Sequence, residues 1–127
     1  MILVDTSVLL AWLDKSHPQH AQCRQAIYEA ARDTLAVSSV TYAELAAGGR
    51  TRQGVDEDLE GFERLDLDFA AAWRAGQAFR QYRRKTTDDP VLPDFLIRAQ
   101  AATRNLPHLT NDRRRTSSFP DVNFLFV

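Results

Sequence analysis

The chain opens with an unbroken apolar run, Met1 to Val4, then a single charge, Asp5, then a stretch in which Val8, Leu9, Leu10, Trp12 and Leu13 recur at mixed spacings of three and four. A short continuous run predicts a strand buried on both faces, and the second spacing predicts a helix. Asp5 therefore stands at a strand-to-helix junction. The alternation repeats down the chain. Pro18 to Arg32 reads as a helix with Ala21, Arg24, Ile27, Tyr28 and Ala31 along one face, and Thr34 to Val40 reads as a second strand. Tyr42 to Ala47 continues as a helix that Gly48-Gly49 stops, because glycine tolerates the left-handed turn at a helix end. Arg50 to Asp58 is polar and has the weakest pattern. Leu59 to Leu65 and Phe69 to Arg84 read as helices, the second with Phe69, Trp73, Gly76, Ala78 and Phe79 expected inside. Residues 86–90 read as a loop, and Pro93 suits the first turn of a helix over Asp94 to Thr103. Leu106 to Thr110 reads as a third strand, Asp112 to Ser117 as a turn or short helix, and Val122 to Val127 as a last strand. Strands alternating with helices predict an α/β fold, a parallel sheet with right-handed crossovers and helices on both faces.

Composition narrows the class. A chain of 127 residues is expected to form one domain, 1–127, and to bury about two-thirds of the surface its unfolded form exposes. The lone Cys23 excludes an intramolecular disulfide and reads as a small buried thiol. No basic region precedes the first apolar run and no apolar stretch approaches about eighteen residues, so neither export nor membrane insertion is expected, and a cytoplasmic protein is. With a net charge of −1 the molecule has no broad positive field, so nucleic-acid binding would need local patches or metal ions.

Asp5 follows the first strand, Glu44 the second and Asp112 the third, while Asp94 opens a helix. In open parallel sheets, ligands bind at the carboxyl ends of strands. Each acid also has a local account: Asp5 as a helix cap, Thr41 and Glu44 as a capping box, Asp94 as a dipole-favoured first-turn acid paired with Arg98, and Asp112 as the cap of a turn. Gathered together, these acids would repel. Two carboxylates about 4 Å apart cost roughly 4 kcal/mol at an effective dielectric near 20. Lysine occurs only at Lys15 and Lys85, so an internal ammonium is not an obvious counter-charge. A hard divalent cation held through oxygen fits a site with no Cys or His beside it, and such ions promote phosphoester hydrolysis. His17 and His20, beside Pro18, and His108, inside a strand, are read as structural rather than as ligands.

With these residues in place, the sequence resembles the PIN-domain ribonucleases, and among them the VapC-type toxins of toxin–antitoxin pairs. The resemblance rests on VDTSVLLAWLD, SSVTYAELAAG, LPDFLIRAQA and LTNDRRRTSSFPDV, and covers essentially the whole chain. It implies a three-layer α/β/α sandwich around a parallel five-stranded sheet, with the strand that periodicity did not identify near Leu65 to Leu67. It assigns Asp5, Glu44, Asp94 and Asp112 to an acidic site for Mg²⁺, with Mn²⁺ as substitute, and Ser7 and Thr110 as polar supports. It also implies cleavage of RNA to 5′-phosphate and 3′-hydroxyl ends, a cognate antitoxin as partner, and a homodimer. Some relatives carry a further acid just after the position of Asp112, where Arg113, Arg114 and Arg115 stand here. One firmly held ion, with a second recruited alongside RNA, is the expectation that follows.

Arg113 to Arg115 are candidates for phosphate contacts, as are Arg80, Arg83, Arg84 and Lys85 at a helix end. The apolar positions Leu9, Leu10, Trp12 and Leu13, with Ala46 and Ala47, are candidates for a partner surface. Trp12 and Trp73 read as core or interface anchors. Other functions compete. A PIN-type RNA-processing nuclease without antitoxin needs the same acids. A receiver-type signalling domain needs an acid pair at the first strand and a late lysine, whereas Asp5 stands alone and no lysine follows Lys85. A fold kept only for protein binding would have no need of all four acids.

Overall fold

The computed structural model describes residues 1–85 and 91–127, with Lys85 described by its backbone. Successive side chains of a strand point to opposite faces of its sheet, and along β1 (Ile2–Val4) both directions are apolar. Ile2 and Val4 enter one core and Leu3 another, so helices must cover both faces. They follow in order: α1 (Thr6–Leu13), α2 (His20–Ala30), β2 (Leu35–Ser38), α3 (Ser39–Ala47), α4 (Arg52–Asp58), β3 (Glu63–Leu65), α5 (Phe69–Lys85), α6 (Leu92–Thr103), β4 (His108–Thr110), a 3₁₀ turn (Thr116–Ser118) and β5 (Phe124–Phe126). The five strands are all parallel, in the order β3-β2-β1-β4-β5. Val8, Leu9, Cys23, Ile27, Leu45, Val55 and Leu59 from α1 to α4 and its exit cover one face. Ala75, Phe95, Ile97, Ala99 and Ala101 from α5 and α6 cover the other. The expected α/β/α sandwich with a five-stranded parallel sheet is what forms. Strand order runs outward in both directions from β1, which makes the carboxyl ends of β1 and β4 the topological switch point, where such sheets leave a crevice.

Several boundaries differ from the sequence reading, each for a local reason. β2 ends at Ser38 because its hydroxyl accepts from Val40 N at 3.1 Å and caps α3, drawing Ser39 and Val40 into the helix. The weakly patterned 50–58 stretch contains α4, started by Thr51, whose hydroxyl accepts from Gly54 N at 3.1 Å. Leu59 to Leu65 is not a helix. Its end is the edge strand β3, whose exit is held from afar: Gln100 Nε2 donates to Leu65 O at 3.1 Å and to Asp66 O at 3.0 Å. α2 begins at His20 rather than Pro18, and α6 at Leu92. α6 ends with Asn105 in the left-handed region (φ 54°) and Leu106 N donating to Ala101 O at 2.9 Å, the six-to-one bond of a Schellman stop.

Of the expected inner face of α5, Ala78 and Phe79 pack inward, but Phe69, Trp73 and Gly76 do not. Phe69 is 94% exposed, Trp73 71%, and Gly76 is exposed too. Ala71 and Ala75 are buried, with Ala78, Phe79 and Tyr82 packed behind them. That stripe is two residues out of register with Phe69 and Trp73, about 200° around a helix. Small side chains in its first turns let α5 lie close on α6 and leave Phe69 and Trp73 outside, while Phe79 and Tyr82 further along pack on Phe95. The loop expected at 86–90 lies outside the described residues.

Candidate active site

Asp5 ends β1, and its extended backbone (φ −70°, ψ 149°) makes it the N-cap residue of α1. Its carbonyl accepts from Val8 N and Leu9 N at 3.2 Å, but its carboxylate makes no capping bond. Instead Oδ2 accepts from Ser7 Oγ at 2.9 Å and from Thr110 Oγ1 at 2.7 Å. Asp5 N donates to Leu109 O at 2.8 Å, which locks the junction to β4. The polar supports expected at Ser7 and Thr110 therefore both hold Asp5. The Thr110 hydroxyl also accepts from Asp112 N at 3.1 Å, tying the loop after β4 to the same point.

Glu44, one and a half turns into α3, does not close a capping box with Thr41. Oε1 accepts from Thr6 Oγ1 at 2.8 Å, and the Thr41 hydroxyl lies 2.9 Å from the same Thr6 oxygen. A carboxylate only accepts and Thr6 has one proton, so Thr6 gives it to Glu44 and receives one from Thr41. Burial pushes the Glu44 carboxyl up; the Thr6 bond opposes this, and Asp94 and Asp5 add to it by repulsion. Asp94, in the first turn of α6, is also raised, by burial first and then by Asp5, with Arg98 and Arg115 opposing. Asp5, Glu44 and Asp94 thus feel one another's charge. Asp112 is pushed up by burial, but side-chain and backbone hydrogen bonds from Arg114 outweigh that and hold its carboxyl below the usual range.

The counter-charges are arginines, which corrects the view that the acids lack an internal cation. Arg98 is 2% exposed, donating from Nη1 to Arg114 O at 2.7 Å and from Nη2 to Asp112 O at 3.2 Å, so it pins the loop under the site. Burial lowers its pKa, while Asp5, Asp112 and Asp94 raise it. Arg114 clasps Asp112 with Nε–Oδ1 at 3.0 Å and Nη2–Oδ2 at 3.1 Å. Arg115, its side chain 8% exposed, places Nη2 3.4 Å from Asp94 Oδ2 and 4.0 Å from Asp112 Oδ2. Its backbone is left-handed (φ 59°), a conformation that glycine or asparagine adopts more cheaply. Arg113 alone of the three has no ion pair with an acid among the described residues, and it lies over Phe126.

His108 is fully buried beneath Asp5. Nδ1 donates to Leu3 O at 3.1 Å and Nε2 stands 4.0 Å from Asp5 Oδ1. Burial holds its pKa down, against the pull of Asp5. His20 Nδ1 bonds Ala11 O and His17 Nδ1 accepts from Gln19 N, so both serve the turn before α2. In kind, the four carboxylates suit a hard cation. In placement, Arg115 takes the interval between Asp94 and Asp112, and among the described residues no three Asp, Glu, His or Cys side chains stand close enough to grip one ion.

The sequence model of the PIN domain matches residues 2–125. The chain belongs to the PIN-domain family. Among curated proteins this PIN domain is 41% identical over 129 residues to ribonuclease VapC26 of Mycobacterium tuberculosis, covering 95% of this chain and 93% of that one. Its fold is shared with VapBC2 of Rickettsia felis, solved bound to a promoter DNA fragment, at a TM-score of 0.77 and 21% identity over 99% of this chain and 98% of that chain. It is also similar to DNA-bound VapBC of Salmonella typhimurium, at a TM-score of 0.71 and 25% identity over 98% and 96% of the two chains.

Sequence reading singled out the four acids and their two hydroxyl supports. It gave Thr41 to a capping box, Arg98 to a pair with Asp94 and Arg115 to phosphate contacts, where the structure has Thr41 bonded to Thr6, Arg98 to two loop carbonyls and Arg115 beside Asp94. An arginine after Asp112 looks like any surface charge. The signal that sets Arg115 apart, a left-handed backbone, is conformational.

Proposed function

We propose that this PIN domain is a divalent-metal-dependent endoribonuclease and the toxin member of a toxin–antitoxin pair. The observation that carries the reading is Asp5 at the switch point, held by Ser7 and Thr110 and electrostatically coupled to Glu44 and Asp94, in a chain 41% identical to a VapC ribonuclease. Asp5, Glu44 and Asp94, with Asp112 beside them, would have to close further and displace Arg115 to hold the ion, and Mg²⁺ or Mn²⁺ suits their oxygens. When bound, the ion supplies Lewis acidity for hydrolysis of an RNA phosphodiester. The chain's own residues do the rest. Ser7 and Thr110 fix the Asp5 carboxylate, and Thr6 fixes Glu44, so that the acids are oriented before substrate arrives. Arg114 and Arg115, released from Asp112 and Asp94, are placed to meet phosphate oxygens.

An antitoxin partner is supported by the toxin–antitoxin complexes among the solved relatives. Leu10, Ala46 and Ala47 are exposed beside half-buried Trp12 and Leu13, which leaves an apolar surface on α1 and α3 for it. Among the described residues no helix is long and apolar enough to cross a membrane, and we place the protein in the cytoplasm, as a homodimer. The test is RNA cleavage with Mg²⁺, Mn²⁺ or EDTA, by wild type, Asp5→Asn and Asp94→Asn. Metal-dependent cleavage that both variants lose is expected; wild-type rates in either would sink the assignment.

A further inference from the structure

Of the three consecutive arginines, two are committed to acids: Arg114 to Asp112, Arg115 to Asp94 and Asp112. Arg113 is exposed, has no ion pair among the described residues, and places its guanidinium carbon 4.2 Å from the centroid of the Phe126 ring. Phe126 ends β5 and is 38% exposed. Its ring stacks with that of Phe124, centroids 5.8 Å apart and planes 14° apart. Phe124 is fixed in turn, by His108 at 5.9 Å and by the Arg98 guanidinium at 5.4 Å. The outer pair is therefore a flat, cationic surface on a rigid base.

Its position is set by register. Phe126 pairs with Thr110, the residue whose hydroxyl holds Asp5 at 2.7 Å, and adjacent strands lie about 4.8 Å apart. Arg113 directly follows Asp112. Both halves of the surface thus lie beside the acidic edge, Phe126 one strand from Thr110 and Arg113 next in the chain to Asp112. A guanidinium lying on an aromatic ring offers what an unstacked base seeks, a polarizable plane with positive charge, whereas the bases of a duplex have their faces covered by neighbours.

We propose that Arg113 and Phe126 form a platform on which an unpaired nucleobase of RNA stacks, next to the phosphodiester presented to the acids. The proposal rests on the ribonuclease reading above. It makes the substrate at this point single-stranded, and it selects unpaired over paired RNA rather than one base over another, because every base has a face to stack.

The experiment uses a short RNA with one 2-aminopurine, free or annealed to its complement, titrated in CaCl₂ with wild type, Phe126→Leu, Arg113→Gln and Arg113→Lys. Stacking quenches the probe. Wild type should quench the single strand and bind it more tightly than the duplex. Phe126→Leu and Arg113→Gln should lose the quench and bind the single strand roughly five- to tenfold more weakly. Arg113→Lys should keep the salt dependence of wild type and still lose the quench, since charge remains and the plane is gone. Arg113 is exposed, so its variants keep the test intact should Phe126→Leu fail to fold. A quench that survives in the Arg113 variants, or equal losses on single strand and duplex, overturns the platform. A wild type that binds RNA and cuts none in Mg²⁺ or Mn²⁺ overturns instead the ribonuclease reading on which it rests.

Discussion

Arg115→Gln removes the cation that stands between Asp94 and Asp112, and the structure sets the size of the effect. At separations of 3.4 and 4.0 Å, and with an effective dielectric near 20, the attractions are roughly 5 and 4 kcal/mol. Much of this is offset. The guanidinium is desolvated, and its Nε is buried with no hydrogen-bond partner among the described residues. Asp94 also remains partly open to water, which screens it. A net stabilisation of about 2 kcal/mol is left. In EDTA the variant should therefore melt roughly 5–10 °C below wild type. The same attraction works against any metal ion that must settle among these acids, because Arg115 has to yield its place. Without it, Mn²⁺ should bind about tenfold more tightly, a difference of about 1.4 kcal/mol, and Mn²⁺ should raise the melting temperature more in the variant than in wild type. Calorimetric titration with Mn²⁺ and melting curves with Mn²⁺ or EDTA read both effects without any cleavage assay. Equal Mn²⁺ affinities would refute the idea that Arg115 competes with the metal, and weaker binding by the variant would make it a support of the site instead.

The other predictions separate roles that the structure distinguishes. Glu44→Gln keeps an acceptor for Thr6 but removes a charge repelled by Asp5 and Asp94, so cleavage should fall at least tenfold while the metal-free melting temperature holds or rises; a clear drop in melting temperature with full cleavage would return Glu44 to a structural role. Burial and neighbouring acids raise the carboxyls of Glu44 and Asp94, so the folded chain takes up these protons more readily than the unfolded one. Their contribution to metal-free stability should accordingly rise as pH falls through the raised folded values and be complete below the ordinary carboxylate values. Urea midpoints against pH in EDTA should show a shallower rise in Asp94→Asn than in wild type. Gln100→Leu should cost about 1–2 kcal/mol by unpairing the Leu65 and Asp66 carbonyls and should speed amide exchange in β3; unchanged exchange there would mean that the edge strand does not depend on α6.

What could be read from the chain, and what could not, follows from where each signal lives. β1, β2 and β4 are buried on both faces, and apolar runs mark the first two. Asp5 interrupts one of these runs, which is why it was visible at once. β3 was not legible because Glu63 and Arg64 are exposed and its carbonyl ends are fixed from α6, a contact with no trace in the local pattern. The start of the inner face of α5 was misplaced, and its later part, Ala78 and Phe79, was not. Where two helices pack closely, alanines go inside, and Phe69 and Trp73 are pushed to the surface. In the site, the acids that lie along one sheet edge could be named from the sequence, and the arginines beside them could not. Scarce lysine argued against an internal cation, but the cation is arginine, whose planar fork keeps its charge when buried and can serve a carbonyl and a carboxylate from one place.

The two buried arginines differ in a way that bears on how the site works. Arg98 donates to the backbone carbonyls of Asp112 and Arg114, and it would keep those bonds whether or not the acids hold another cation. Arg115 reaches carboxylate oxygens at 3.4 and 4.0 Å, lies over the Tyr82 ring at 5.9 Å, and has no partner for its Nε among the described residues, a loose grip for so buried a group. One arginine therefore builds the loop, and the other fills a charge vacancy in it. Four carboxylates at one sheet edge must be tolerable in the absence of metal, yet ready to accept it. A tightly bonded internal cation would satisfy the first need and defeat the second, whereas a weakly held one on a left-handed backbone meets both, since relaxation of that backbone on release returns part of the cost of breaking its ion pairs. On the proposed metal reading, an ion entering among the acids would displace Arg115 toward Arg113 and Arg114, so metal binding should also strengthen the binding of RNA phosphates at this rim.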